Sequence, residues 1–423
     1  MPESYTTIKG DTLTQVSTKF YGDGNQYKKI LDANPAINDP NVIIAGTVLT
    51  IPDSQSAPPE PSEIDVDPDT LIGGISEEVA IVIDGISFKF WTEATITRSF
   101  DSIADTFSLS APWFPDNETY REIFKPFSYT SATIYIGGTK ILTGFIVTVN
   151  TSTAGNARVI TIEGYSYAGV IADVNISASS WPAAIDGLDL QQIAEKIVAP
   201  FAINIIFDYD PGPAFSKNEK QVIEPDEKIA DYLIKLGRQR GFVIGSNADG
   251  DLLFRKTTTE PATVSIFEGE FPFLSSSATY NGQNRYSDIT AIGTETKSGA
   301  GQIATISDPE LKKNGVTRPF VFKATDTNSG GLQSAATAQL GRQIADSVQV
   351  DLTLKGFHDP ETTLWEDNVK IIYKSDGDMI YQETEFLVRD VKFNKSPEGA
   401  TTNLRLVFPE SYSGEIKGEF PWG

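Results

Sequence analysis

The sequence predicts a multidomain, mainly β chain with α+β parts. A small βααβ module comes first, followed by two β-rich domains with an α/β insert between them. Three observations carry this reading. At 423 residues the chain exceeds what one core organises, so three or four domains are expected. Short alternating apolar runs meet repeatedly at Asp-Gly and Gly-Gly pairs, the signature of β hairpins. Helical periodicity is confined to the first fifty residues, to 190–241 and to 332–348. A hydrophobic fraction of 39% with 10% aromatics is enough to fill real cores.

Residues 1–52 read as strand (5–8), helix (14–21), helix (27–33) and strand (48–51). Gly10-Asp11-Thr12 is a turn whose acid and hydroxyl can cap the first helix. Leu13, Val16 and Phe20 face inward, and Asn34-Pro35 ends the second helix. A module this small buries little, so Tyr5, Phe20 and Tyr27 are assigned to its core. Residues 53–78 read as an acidic, proline-rich linker; the stretch 52–69 has no Lys or Arg, and its like charges extend it.

Residues 79–177 form the first β domain. Asp84-Gly85 joins 79–83 to 86–90, where Ile86, Phe88 and Phe90 alternate at period two. Gly137-Gly138 joins 133–136 to 140–146, and further strands read at 145–150 and 158–165. Residues 178–268 form the α/β insert. Leu190, Ile193, Ala194, Ile197 and Val198 share one helix face, and Pro200 ends that helix; Ile229, Leu233 and Leu236 share another. Strands at 203–208, 242–246 and 251–255 flank both helices. Residues 269–415 return to β, with strands at 288–294, 350–354, 369–373, 382–392 and 403–408, an Asp-Gly turn at 375–378 and a helix at 332–348. Residues 416–423 are a tail that either frays, as chain ends do, or docks onto a partner through Phe420, Pro421 and Trp422. No residue-level repeat is visible, so kinship between the two β regions is one of architecture.

Composition excludes much chemistry. Zero cysteine removes disulfides, thiolate metal sites and cysteine nucleophiles, and the single histidine, His358, removes multi-histidine metal sites. A net charge of -23 opposes stable phosphate-backbone binding. No signal peptide is expected from residues 1–5, and no apolar run is long enough to span a membrane. His358 reads as a turn residue held by Asp359. Asn247–Asp251 and 375–378 lack the later bidentate Glu of a calcium loop and read as hairpin turns. Gly137-Gly138 and Gly330-Gly331 lack the Gly-Lys-Ser/Thr of a phosphate loop. No cofactor and no enzymatic activity are expected. Trp91, Trp113, Trp181 and Trp365 read as core or subunit-interface residues.

Two resemblances sharpen this reading. Tyr5-Thr6-Thr7-Ile8-Lys9-Gly10-Asp11-Thr12-Leu13, Phe20-Tyr21-Gly22, Ile30-Leu31-Asp32-Ala33-Asn34-Pro35, then Ile43, Gly46, Leu49 and Ile51-Pro52 closely resemble the LysM family. The resemblance implies a groove formed by Gly10, Asp11, Thr12, Leu13 and Asn34, with Ile37 to Ile43 opposite. LysM modules grip N-acetylglucosamine polymers, or serve as assembly joints in contractile phage tails. These loops lack the tryptophan platform of many sugar sites, which favours the joint.

The β–α/β–β order of 79–415 resembles the baseplate hub of contractile phage tails, the Mu-like hub and late-control-D family. That resemblance implies two tube-like β-barrel domains per chain. It further implies a homotrimer forming a pseudo-sixfold ring between a hexameric tail tube and a trimeric spike, beside baseplate wedge or sheath proteins. The ring would pass DNA without binding it stably, in a virion baseplate assembled in the host cytoplasm. The LysM region has four Lys against five acids, so the acid excess lies in the linker and the body. The alternative is a peptidoglycan-binding tail or wall protein, with or without wall hydrolase activity.

Overall fold

The computed structural model describes residues 3–7, 12–21, 27–35, 37, 46–51, 71–72, 75–89, 91–155, 157–177, 187–215, 223, 226–293, 302–323, 331–413, 415–416 and 420–422. The chain divides into two compact units, Met1–Asp65 and Val66–Gly423.

The first unit is the expected βααβ module. Strands Glu3–Thr6 and Val48–Ile51 pair antiparallel with Tyr5 opposite Leu49, and helices Leu13–Tyr21 and Tyr27–Ala33 pack beside them. Its core is aliphatic: Leu13, Val16, Ile30, Leu49 and Ile51. Tyr5, Phe20 and Tyr27, expected inside, are only half-buried at its margin. Tyr5 and Phe20 meet edge-on at 5.3 Å, and the Lys19 ammonium lies 4.3 Å from the Tyr5 ring centre. Rings with a polar tip or a cationic neighbour gain from staying at the boundary.

Of the expected linker, residues 53–70 and 73–74 lie outside the described residues, while Leu71–Ile72 pairs with Ile75–Ser76.

The second unit is mainly β. Its first half contains strands Val79–Ile83, Ile86–Phe88, Glu93–Ser99, Thr106–Pro112, Ser131–Ile136, Thr139–Ala154 and Ala157–Ser166. Its second half contains Val264–Phe267, Phe273–Tyr280, Val348–Lys355, Lys370–Ser375, Ile380–Ser396 and Gly399–Val407. Both halves belong to one continuous hydrogen-bonded sheet over a shared apolar core. Period-two burial in Ser131–Ile136, Val348–Lys355 and Gly399–Val407 shows one face packed and the other wet.

Between the halves lies the α/β lobe. Helices Leu190–Val198 and Ile229–Gln239 bury the predicted faces, including Ile193, Ile197, Leu233 and Leu236, near a sheet in the order Ile205–Phe207, Leu252–Arg255, Val243–Ser246. Asp189 caps the first helix, accepting from the Gln192 N–H at 2.8 Å while Gln192 reaches back. A second small unit pairs Asp288–Ile292 with Ile303–Ser307 and Pro319–Lys323, and the helix Gly331–Ala345 packs on them through Leu332, Ala336, Leu340 and Ile344. The expected strand at 288–294 therefore sits outside the main sheet.

Candidate interaction sites

Strand order reveals a duplication. In the first half the order is Glu93–Ser99, Thr106–Pro112, Ala157–Ser166, Thr139–Ala154, Ser131–Ile136, Val79–Ile83. In the second it is Phe273–Tyr280, Val348–Lys355, Gly399–Val407, Ile380–Ser396, Lys370–Ser375, Val264–Phe267. The two orders match strand for strand, although the last pairing is antiparallel in one half and parallel in the other. Register matches as well. The hairpin ends Ala154 opposite Ala157 and Ser396 opposite Gly399 correspond, and each long strand carries a bulge equally far from its end, between Ile146 and Thr148 and between Val388 and Asp390.

The halves meet at one seam, where residues 390–395 of the long strand pair antiparallel with Ala94 through Ser99. Among the described residues, the matching strands have no such partner. Thr148 through Ala154 pair only with Ala157–Ser166, and Phe273–Tyr280 only with Val348–Lys355.

A buried charge cluster pins the seam. Asp367, 6% exposed, accepts from Arg255 and lies 3.3 Å from the Arg98 guanidinium. Arg255 also donates to the carbonyls of Ser99 and Phe100 at 3.3 and 3.2 Å. Asp105, 2% exposed, accepts from the Ser99 N–H at 3.0 Å and lies 3.8 Å from Arg98. Burial pushes its carboxyl up to about 7, outweighing the pull of Arg98. Burial works against the Arg98 charge too, yet Asp367 and then Asp105 raise its pKa overall. The opposite preferences of Arg98 and Asp105 resolve by distance: Asp367 is the nearer counter-ion, and Asp105 is the carboxylate left over.

The predicted tryptophans divide. Trp365 is buried in the main core. Trp91 and Trp113 line an apolar groove of about 420 Å³ with Phe88, Phe114, Tyr120 and Phe124. Trp181 lies outside the described residues. A more polar cavity of about 300 Å³ lies among Asp101, Arg238, Arg342, Asp346 and Tyr412. Asn247–Asp251 and 375–378 are hairpin turns; the Asn247 side chain accepts from the Asp249 and Asp251 N–H groups at 3.0 and 2.9 Å. The Asp359 carboxylate closes its own turn, accepting from Glu361 and Thr363 N–H groups, while His358 pairs through its backbone with Leu364. Burial lowers the His358 pKa against the opposing pull of Glu77 and Asp359. Among the described residues no three His, Cys, Asp or Glu are disposed to hold a metal, and no helix is long and apolar enough to cross a membrane.

Within the chain, the described tail residues pack against strands of the second half. Phe420 stacks on Trp422 at 4.8 Å, Trp422 meets Tyr280 edge-on at 5.2 Å, and the Tyr381 N–H donates to the Pro421 carbonyl.

Of the proposed module groove, Gly10, Asp11 and Ile43 lie outside the described residues. Thr12 is half-buried and forms a capping box with Gln15, at 3.1 and 3.3 Å. Leu13 is wholly buried, and Ile37 packs half-buried against the core. The Asn34 amide donates to the Ile30 and Thr50 carbonyls, each at 2.7 Å, and accepts from the Thr50 N–H at 2.8 Å. It clamps the second helix to the second strand.

The fold of the second unit is shared with solved phage tail proteins. A 43 kDa tail protein of the Shewanella oneidensis prophage MuSo2 superposes with a TM-score of 0.67 at 23% identity, covering 79% of this chain and 99% of that one. A Neisseria meningitidis tail protein gives 0.67 at 19% identity, over 80% and 98%. Residues 78–166 match the model of the Mu phage baseplate assembly protein GpP-like N-terminal domain, and residues 173–256 that of the baseplate hub protein gp44-like second domain. Residues 5–52 match the LysM domain. The baseplate hub protein gp44 of Escherichia phage Mu is 24% identical over 359 residues, covering 82% of this chain and 91% of that protein. Residues 78–166 and 173–256 are thus similar to domains of Mu-like baseplate proteins, and residues 5–52 to the LysM domain.

Proposed function

We propose that this chain is the structural hub of a contractile-tail baseplate. Three copies form a pseudo-sixfold ring that joins a hexameric tail tube to a trimeric spike. The observation that carries this reading is the duplication: two β halves in one continuous sheet supply two quasi-equivalent units per chain. Three chains then present six similar units to the tube and three identical faces to the spike. The protein acts in the virion tail baseplate, beside wedge or sheath proteins.

The role is architectural, not enzymatic. DNA passes through the ring, and the body's acidity repels it rather than holding it. A net basic inner wall in an assembled ring would sink that last point.

The module serves as an assembly joint. Leu13 and Asn34 are committed to its own core and clamp, which leaves less of the groove to grip a glycan. Imaging assembled particles tests the whole reading: a tube protein on one side of a three-chain ring and a spike on the other are expected. Retention of the full chain on peptidoglycan would overturn the joint, and a clearing zone in zymography would overturn the non-enzymatic role.

A further inference from the structure

We infer that the strand edge at residues 148–153 of one copy pairs antiparallel with residues 276–281 of a second copy, in the register that the intrachain seam already displays. The inference rests on the ring reading above and adds its contact.

At the seam, Asp390 lies opposite Ser99, Val391 opposite Arg98, Lys392 opposite Thr97, Phe393 opposite Ile96, Asn394 opposite Thr95 and Lys395 opposite Ala94. The hairpin ends and bulges equate Asp390 with Thr148 and Lys395 with Thr153. The strand ladders equate Thr95 with Ser277 and Thr97 with Thr279, through their partners in Thr106–Pro112 and Val348–Lys355. Carrying the seam across puts Val149 opposite Tyr280, Asn150 opposite Thr279, Thr151 opposite Ala278 and Ser152 opposite Ser277.

The chemistry of the two edges agrees. An exposed strand edge invites pairing, and chains that must avoid it place charge there, Lys above all. Here Thr148 through Ala154 read Thr-Val-Asn-Thr-Ser-Thr-Ala, and residues 275–281 read Ser-Ser-Ser-Ala-Thr-Tyr-Asn. Neither carries a charge in a chain that is 22% charged, and both are largely exposed. At the seam, Ser99 donates to Asp390 at 2.5 Å and Thr95 to Asn394 at 3.3 Å. The corresponding interchain pairs, Asn281 with Thr148 and Ser277 with Ser152, keep that hydroxyl and amide character. On the other face Val149 and Ala278 already pack half-buried against the core, where Val391 and Ile96 are buried at the seam. The occupant that fits each edge is therefore the other edge of a second copy.

Cysteine cross-linking tests this cleanly, because the chain has no cysteine of its own. The full-length chain carrying Asn150→Cys and Thr279→Cys is oxidised and run without reductant, with its mass in solution measured in parallel. Both side chains are exposed, so the fold tolerates the changes. The control is Asn150→Cys with Ser277→Cys, two residues out of register. Directly opposed residues lie within disulfide range, and a two-residue shift exceeds it, so the matched pair should cross-link at least about tenfold better.

A covalent ladder ending at three chains supports both the register and the ring. A ladder running past three supports the register and overturns the closed ring. A three-chain mass with no preference for the matched pair overturns the register and leaves the ring standing. A one-chain mass without cross-links overturns both.

Discussion

Asp367 shows how single residues hold the body together. One carboxylate buried between two guanidiniums joins a strand of the first half, a strand of the α/β lobe and a loop of the second half. Asp367→Asn keeps the shape but removes the carboxylate paired with buried Arg255 and the nearer counter-ion of Arg98, so the body should lose about 3–5 kcal/mol in urea unfolding. Asp105 makes an opposite, pH-dependent contribution. Its folded carboxyl sits at about 7, above the ordinary 3.8, so the folded state binds more protons than the unfolded state between those values. Its stabilising effect is complete below about 4 and is lost as pH rises through about 7. Asp105→Asn should therefore flatten the fall in melting temperature between pH 5 and pH 8, and an unchanged pH profile would refute this assignment. In the module, Asn34→Ala removes three hydrogen bonds and should cost it about 2 kcal/mol, read as faster amide exchange in Val48–Ile51 with the body unaffected. Asn34 is legible in the sequence as a motif position and a helix stop. Its clamp on Thr50 is not, because that partner is brought near only by folding.

Among the elements, the two long strands decide the architecture. Thr139–Ala154 must run against Ala157–Ser166 with almost no room: a Cβ on Gly144 would meet the Tyr165 carbonyl oxygen at 1.8 Å. That contact is backbone and cannot yield, so Gly144→Ala should leave the body misfolded and insoluble, checked by the soluble yield and far-UV spectrum. The sequence shows the Gly-Gly and Asp-Gly hairpins and the amphipathic helices clearly, since turn chemistry and helical period are local signals. It breaks Thr139–Ala154 into two shorter pieces, because burial fades to exposure along its second half. Glu93–Ser99 and Phe273–Tyr280 escape the reading altogether. Phe273–Tyr280 has no apolar alternation to detect, and its signal is the reverse, a run of small uncharged residues in an acidic chain.

At the scale of the whole molecule, the two compact units fold on separate cores. Deleting residues 1–65 should leave the melting temperature of 66–423 within about 2 °C of the full chain's body transition, with the module's own transition gone from the calorimetric trace. A large drop would mean that the units depend on each other. The halves of the body behave differently. They share one sheet and one apolar core, so neither half is expected to fold alone.

What the sequence by itself determined is the local and compositional part. The LysM-like module, the order β then α/β then β, the hairpin turns and the lack of cysteine chemistry all follow from short-range pattern and residue counts. Only the tertiary structure decided that the two β regions are copies in strand order and register, and that they join at one seam. It also decided that the buried cluster around Asp367 lies at that seam. Strand pairing between residues hundreds of positions apart depends on backbone hydrogen bonds, which every residue type makes alike. Two halves can therefore repeat a sheet faithfully while their side chains keep almost no shared pattern.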